Sequence, residues 1–296
     1  MHIIMPGPNA PLVKRLSAVL AGLAIAGFGL YALGHETSTP VAPPPPVVEK
    51  PAPRIVKVLP TPEPPLGRPD IIAAVARAAD AHAAGQPQAA TDKALVGRTF
   101  TLRVPFGCGG PLPDEQRKTK TTDQPVQRGW RYTKASGALQ LTFGLDDWTR
   151  ADWIAPLAGD TPHDQVEGFW LPRPWTSSET CPPVGTKDEM AEPTAAPLAA
   201  ERTLGLAQFF AKGSPRTLQR GGRPYSATVK RESPPAPGSF FHLVVEGRIA
   251  GFADGQPIHC QSPSADQRPS CVIATEFTSI AFEDNSTGEV VARWTK

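Results

Sequence analysis

Apolar and polar positions along the chain change their period several times, and each change marks an element. Residues 16–34, LSAVLAGLAIAGFGLYALG, carry no charge at all. A run of this length suits a single helix through a hydrocarbon core, which takes roughly 17–25 residues. From Asp70 to Ala84 the spacing is helical: Ile71, Ile72, Val75, Ala78, Ala79 and His82 share one face. Pro69 and Asp70 mark its start, with Asp70 as the expected cap, and Gly85 its end. QPQAATDKA (86–94) reads as a loop.

From Leu95 the period becomes two. Phe100, Leu102, Val104 and Phe106 alternate with Thr101, Arg103 and Pro105, which predicts a half-buried strand. Residues 129–134 and 137–143 predict a hairpin turning at Ala135 and Ser136, and 166–172 a further strand. Residues 183–199 read as a surface connection. Beyond it, 203–211, 224–231, 239–252, 256–260, 270–282 and 288–294 all read as strands, separated by turn residues such as Ala253-Asp254-Gly255. Many short strands with no helical pattern between them predict a mainly β fold, an antiparallel sandwich or barrel.

The resulting domain plan is a cytoplasmic tail (1–15), a transmembrane signal-anchor helix (16–34), a Pro-rich linker (35–69), a helix and loop (70–94), and a periplasmic β domain (95–296). Within the last, 95–190 and 200–296 are alternative subdomains. Lys14 and Arg15 precede the apolar run, and the next Lys or Arg is Lys50, so the positive-inside rule places the bulk of the chain outside the cytoplasm. The expected location is the inner membrane, single-pass, with the N-terminus cytoplasmic. A cleaved signal, giving a periplasmic or secreted protein, is the alternative.

Residues 40–69 hold twelve prolines, which favour polyproline II and a semi-rigid spacer. Over the first 70 residues the layout of membrane helix, Pro-rich stalk and compact domain is similar to that of TonB-like energy transducers. The similarity is one of architecture, with no match to a TonB-type C-terminal domain.

Composition adds little to this. The chain has 36 prolines in 296 residues and an Ala-rich style that fits a GC-rich bacterial genome. Thirty basic residues against 28 acidic ones remove any global electrostatic argument for nucleic acid. The cysteines change the picture more. Cys108, Cys181, Cys260 and Cys271 all follow the apolar run, and an even number in an oxidising compartment predicts two disulfides. Cys260 and Cys271 flank a short Ser/Pro-rich loop, so the expected pairs are Cys260 with Cys271 and Cys108 with Cys181. Their Cα atoms should then lie about 4.4–6.8 Å apart. There is no C-x-x-C, and no metal or other cofactor is expected.

Two stretches carry candidate chemistry. Residues 146–175 contain Trp148, Trp153, Trp170 and Trp175 together with Asp146, Asp147, Asp152, Asp160, Asp164 and Glu167. Aromatic platforms beside carboxylates suit glycan binding. Two of the carboxylates at about 5–9.5 Å could serve glycoside hydrolysis. The bland alternative is that the indoles fill the core and the acids decorate loops. Trp148, Trp153, Trp170, Trp175, Asp146, Asp147 and Asp152 are the binding candidates. Residues 117–134 interleave Arg117, Lys118, Lys120, Arg128, Arg131 and Lys134 with Trp130 and Tyr132, which suits an anionic glycan or a headgroup. Nucleophile motifs such as G-x-S-x-G are missing, and no catalytic residue is assigned. The expected function is a non-catalytic, membrane-anchored β domain that binds or scaffolds envelope components. Its expected partners are the inner membrane and an envelope protein or glycan. An envelope polysaccharide hydrolase or glycan-binding module is the alternative.

Overall fold

The computed structural model describes residues 63–113, 126–182, 202–262, 264 and 266–296. The predicted membrane helix 16–34, most of the Pro-rich linker and the connection 183–199 lie outside the described residues. Among the described residues no helix is long and apolar enough to cross a membrane.

Helix α1 spans Arg68–Ala83 and begins two residues before its expected start. Gly67 takes the N-cap position instead of Asp70, because Pro69 fits inside the first turn, where its missing N–H costs nothing. Asp70 still serves the helix end: its carboxylate accepts the Gly67 N–H at 2.8 Å. Ile71, Ala74, Val75, Ala78 and Ala79 are buried, while Ile72 is half-buried and His82 exposed. The expected loop 86–94 contains a one-turn helix, α2 (Ala90–Lys93).

The rest is mainly β, in two sheets. In chain order the strands are β1 (Thr99–Phe106), β2 (Arg128–Thr133), β3 (Ala138–Phe143), β4 (Asp146–Asp147), β5 (His163–Trp170), β6 (Leu204–Ala211), β7 (Tyr225–Lys230), β8 (Phe241–Ile249), β9 (Ile258–Gln261), β10 (Ser270–Asp284) and β11 (Val290–Thr295). One sheet has eight strands in the order β1-β8-β10-β6-β5-β4, with β9 and β11 also on β10. The other is β2-β3-β7. Strands from both halves of the sequence interleave: β1 pairs with β8, β5 with β6 and β3 with β7.

The fifteen-residue strand β10 organises the larger sheet. Its first part pairs with β9 and β6, and its second part with β8 and β11. The β10–β6 pairing is parallel, Cys271 lying opposite Leu204, which departs from the all-antiparallel expectation. Residues 203–211 read as a strand, but a strand's own sequence does not name the strand that lies beside it. Both faces of β6 are largely buried, as befits a strand inside a sheet covered on two sides.

The main core lies between the two sheets. Phe106 of β1 meets Phe143 of β3 edge-on with centroids 5.5 Å apart, and Phe143 meets Phe169 of β5 at 6.1 Å. Trp294 of β11 packs on Phe282 and Tyr225, each at 5.0 Å. Such aromatic pairs add to simple area burial.

Both predicted disulfides are present. The Cα atoms of Cys108 and Cys181 are 5.6 Å apart. Those of Cys260 and Cys271 are 4.0 Å apart, closer than expected. The two residues face each other directly across β9 and β10. The Cys271 N–H points the other way, to Thr203 O of the chain entering β6, so the cysteines form the closer, non-hydrogen-bonded kind of antiparallel pair.

Candidate functional site

The Trp- and Asp-rich stretch is spread over both sides of a wall. Strand β4 sets Asp146 opposite Gly168 and Asp147 opposite Glu167 on β5. Trp148 then turns inward and donates its backbone N–H to Val166 O at 2.8 Å. Its ring rests on two glycines. A Cβ on Gly168 would lie 2.3 Å from the Trp148 ring and 2.2 Å from Leu206 O, and one on Gly205 would lie 3.1 Å from the same ring. Trp148 is thus only 7% exposed, with the half-buried Trp170 at 5.2 Å. With Ile154, Val166, Ala207, Phe252, Val272 and Ala274 these rings form a second apolar cluster, and Trp153 packs at its edge. Trp175 belongs to neither cluster. It is 60% exposed, beside Ile72, Ala76 and Ala79 of α1 and next to Arg268.

Four of the carboxylates are occupied one by one. Asp146 binds Arg128 at 3.0 Å, and that guanidinium also lies over the Phe143 ring. Asp147 accepts the Thr149 N–H at 2.9 Å in a local turn. Asp164 pairs with Arg216 at 2.8 Å. Glu167 accepts the backbone N–H of Arg220 at 2.9 and 3.0 Å and of Gly221 at 2.6 Å, which ties the β6–β7 connection down over β5. Burial pushes the Glu167 carboxyl above the ordinary carboxylate range, and nearby Asp147 adds to this, while the two N–H groups pull the other way. Asp152 and Asp160 are exposed.

The basic stretch is likewise divided. Trp130 faces the core and Tyr132 is half-buried with its hydroxyl donating to Arg231 O at 3.2 Å, while Arg131 stands on the opposite face of β2. Arg117, Lys118 and Lys120 lie outside the described residues.

What the fold does assemble beside the second cluster is a cavity of about 380 Å³. Leu157 and Ala158 come from a 3₁₀ turn (Ala155–Ala158), Phe209 and Ala211 from β6, and Phe252 from the β8–β9 connection. Small residues (Ala250, Gly251, Ala253, Ala274) make the space, and Phe209 and Phe252 stand edge-to-face at 5.6 Å as its walls. Its polar groups are Thr161, Thr275, His163, whose ring lies against Phe209, and Glu276, held by Arg248 at 2.9 Å. A largely apolar cavity of this size with a few polar groups suits a small molecule or a single inserted side chain. The strand prediction for β6 contained Phe209, but no sequence pattern joined it to Phe252 and Leu157, since three separate segments meet there. Among the described residues no group of three or more His, Cys, Asp or Glu is arranged to hold a metal ion. No protein-family model, curated protein or solved structure shows a significant match to this chain.

Proposed function

We propose that this chain is a non-catalytic, inner-membrane-anchored periplasmic domain that binds an envelope component through the cavity bounded by Leu157, Phe209 and Phe252. In this reading residues 16–34 cross the membrane and the Pro-rich segment carries the β domain away from it. The shared aromatic core between the two sheets supports a sandwich-like description of that domain.

The observation that carries the non-catalytic reading is the state of Asp146, Asp147, Asp164 and Glu167. Burial raises the Glu167 pKa, the direction a general acid requires, and Asp147 stands opposite it. Yet Glu167 is only 2% exposed and both its oxygens are engaged by backbone N–H groups, so a sugar oxygen has no path to it. Asp146 and Asp164 are held by arginines. These groups do structural tasks.

The test has two parts. A photo-crosslinking side chain at Ala253, on the cavity rim, should give a discrete adduct in intact cells, and one at Ser226, on the exposed face of β7, should not. Closing the cavity mouth with Leu157→Trp should abolish the Ala253 adduct. Equal labelling from both positions overturns the cavity as the binding site. For placement, a reporter active only in the periplasm should work when fused after Lys296; activity of a cytoplasm-only reporter there reverses the orientation.

A further inference from the structure

A strap, residues 172–182, follows β5 and carries the chain to the Cys108–Cys181 disulfide. It enters from Leu171, whose N–H donates to Leu204 O at 2.8 Å. It leaves at Cys181, bonded to Cys108 just beyond the end of β1. Between these fixed ends it has no strand partner; its own hydrogen bonds are local, such as Thr176 N–H to Arg173 O at 3.1 Å.

Two side chains from the body of the domain donate hydrogen bonds to strap carbonyls. His242 of β8 donates from Nε2 to Glu179 O at 2.8 Å. Arg68, in the first turn of α1, is completely buried. Its Nε donates to Thr176 O at 2.8 Å, and one terminal nitrogen donates to Pro172 O at 2.7 Å and Arg173 O at 3.0 Å. A buried guanidinium is tolerable only while such acceptors are in place. Arg173 itself sits at φ 48°, a left-handed conformation that non-glycine residues rarely take, with its guanidinium bonded to Thr180 O. The carbonyl array that receives Arg68 therefore depends on the whole course of the strap up to Cys181.

Cys271 is fully buried in the main core, whereas its partner Cys260 and both Cys108 and Cys181 are partly exposed. A dithiol therefore finds one accessible cysteine in the first pair and two in the second.

We infer that the Cys108–Cys181 disulfide is a redox-set latch which, through the strap and Arg68, controls how firmly α1, the point where the Pro-rich segment enters, is held on the β domain. The reductant is a dithiol. Its thiolate attacks one sulfur to form a mixed disulfide and expels the other as a thiolate that takes up a proton. Its second thiol then resolves the mixed disulfide, so the dithiol is oxidised to a disulfide and Cys108 and Cys181 become thiols. The freed strap regains the conformational entropy of an open segment, and the carbonyls that Arg68 needs lose their alignment. This inference stands on the strap's geometry and does not rest on the cavity or on the membrane placement.

The experiment is hydrogen exchange on the full-length chain, with dithiothreitol at a concentration where peptide mapping finds Cys108 and Cys181 free and Cys260–Cys271 intact. Reduction should speed exchange in residues 71–83 by about tenfold or more, as a sub-global opening, and leave β3 unchanged. Unchanged α1 exchange, or equal acceleration in β3, overturns the latch. Arg68→Lys, which keeps the charge but cannot span three carbonyls, should exchange rapidly in α1 in both redox states. A further tenfold increase on reducing that variant would overturn the route through Arg68.

Discussion

The Glu167 carboxylate grips the backbone N–H of Gly221 at 2.6 Å, linking β5 to a turn 54 residues further along the chain. Burial raises the pKa of this group in the folded protein above its ordinary value of 4.5. Folding therefore favours its protonated form. Its contribution to stability is complete below about pH 4.5 and is lost as pH rises through the folded-state value. In thermal melts across pH 4–8, wild type should lose stability relative to Glu167→Gln as pH rises. Glu167→Ala, which strands the Arg220 and Gly221 N–H groups, should cost about 1–3 kcal/mol. A wild type that gains stability relative to Glu167→Gln as pH rises would contradict this.

Asp284, at the end of β10, behaves in the opposite sense. Burial alone would raise its carboxyl, but the hydroxyl and N–H of Ser286 and the Arg231 guanidinium together outweigh that and lower it below 3.8. Its contribution is present above about pH 3.8 and lost as pH falls through the folded-state value. Arg231→Ala should cost about 2 kcal/mol at neutral pH, and in Asp284→Asn the same substitution should cost much less. Denaturant titrations of the four proteins measure this coupling; additive losses would refute it.

Trp148 and Trp175 should respond differently to removal. Trp148→Ala empties the space above Gly168 and Gly205 and should cost about 3–5 kcal/mol. Trp175→Ala should change stability by no more than about 0.5 kcal/mol. Iodide quenching of intrinsic fluorescence should fall sharply in Trp175→Ala and remain in a folded Trp148→Phe protein. Strong quenching that is lost with Trp148 would mean that this ring faces solvent.

The disulfide connectivity can be counted chemically. Cys260→Ser should free the thiol of Cys271 and no other, as non-reducing peptide mapping reads directly. By the chain-entropy account, the short Cys260–Cys271 loop contributes about 3 kcal/mol and the longer Cys108–Cys181 loop about 4–5 kcal/mol. A free Cys108 or Cys181 in Cys260→Ser would break the assignment.

From the residues alone came the mainly β class, most strands to within a few residues, α1, and both disulfides. These are local properties: alternation reports which face a side chain takes, turn residues report where a strand stops, and a short loop between cysteines favours their pairing. Phe100, Leu102, Val104 and Phe106 face the core as their spacing requires. Tertiary structure alone decided what no spacing encodes. It set β6 parallel to β10, because a strand's pattern does not name its neighbour. It turned Trp148 inward, because Gly168 and Gly205, 37 residues apart, left room for its ring only when β5 and β6 paired. It gathered Leu157, Phe209 and Phe252 around one cavity, and it buried Arg68, which reads as an ordinary surface residue until three strap carbonyls from more than 100 residues away close around its guanidinium.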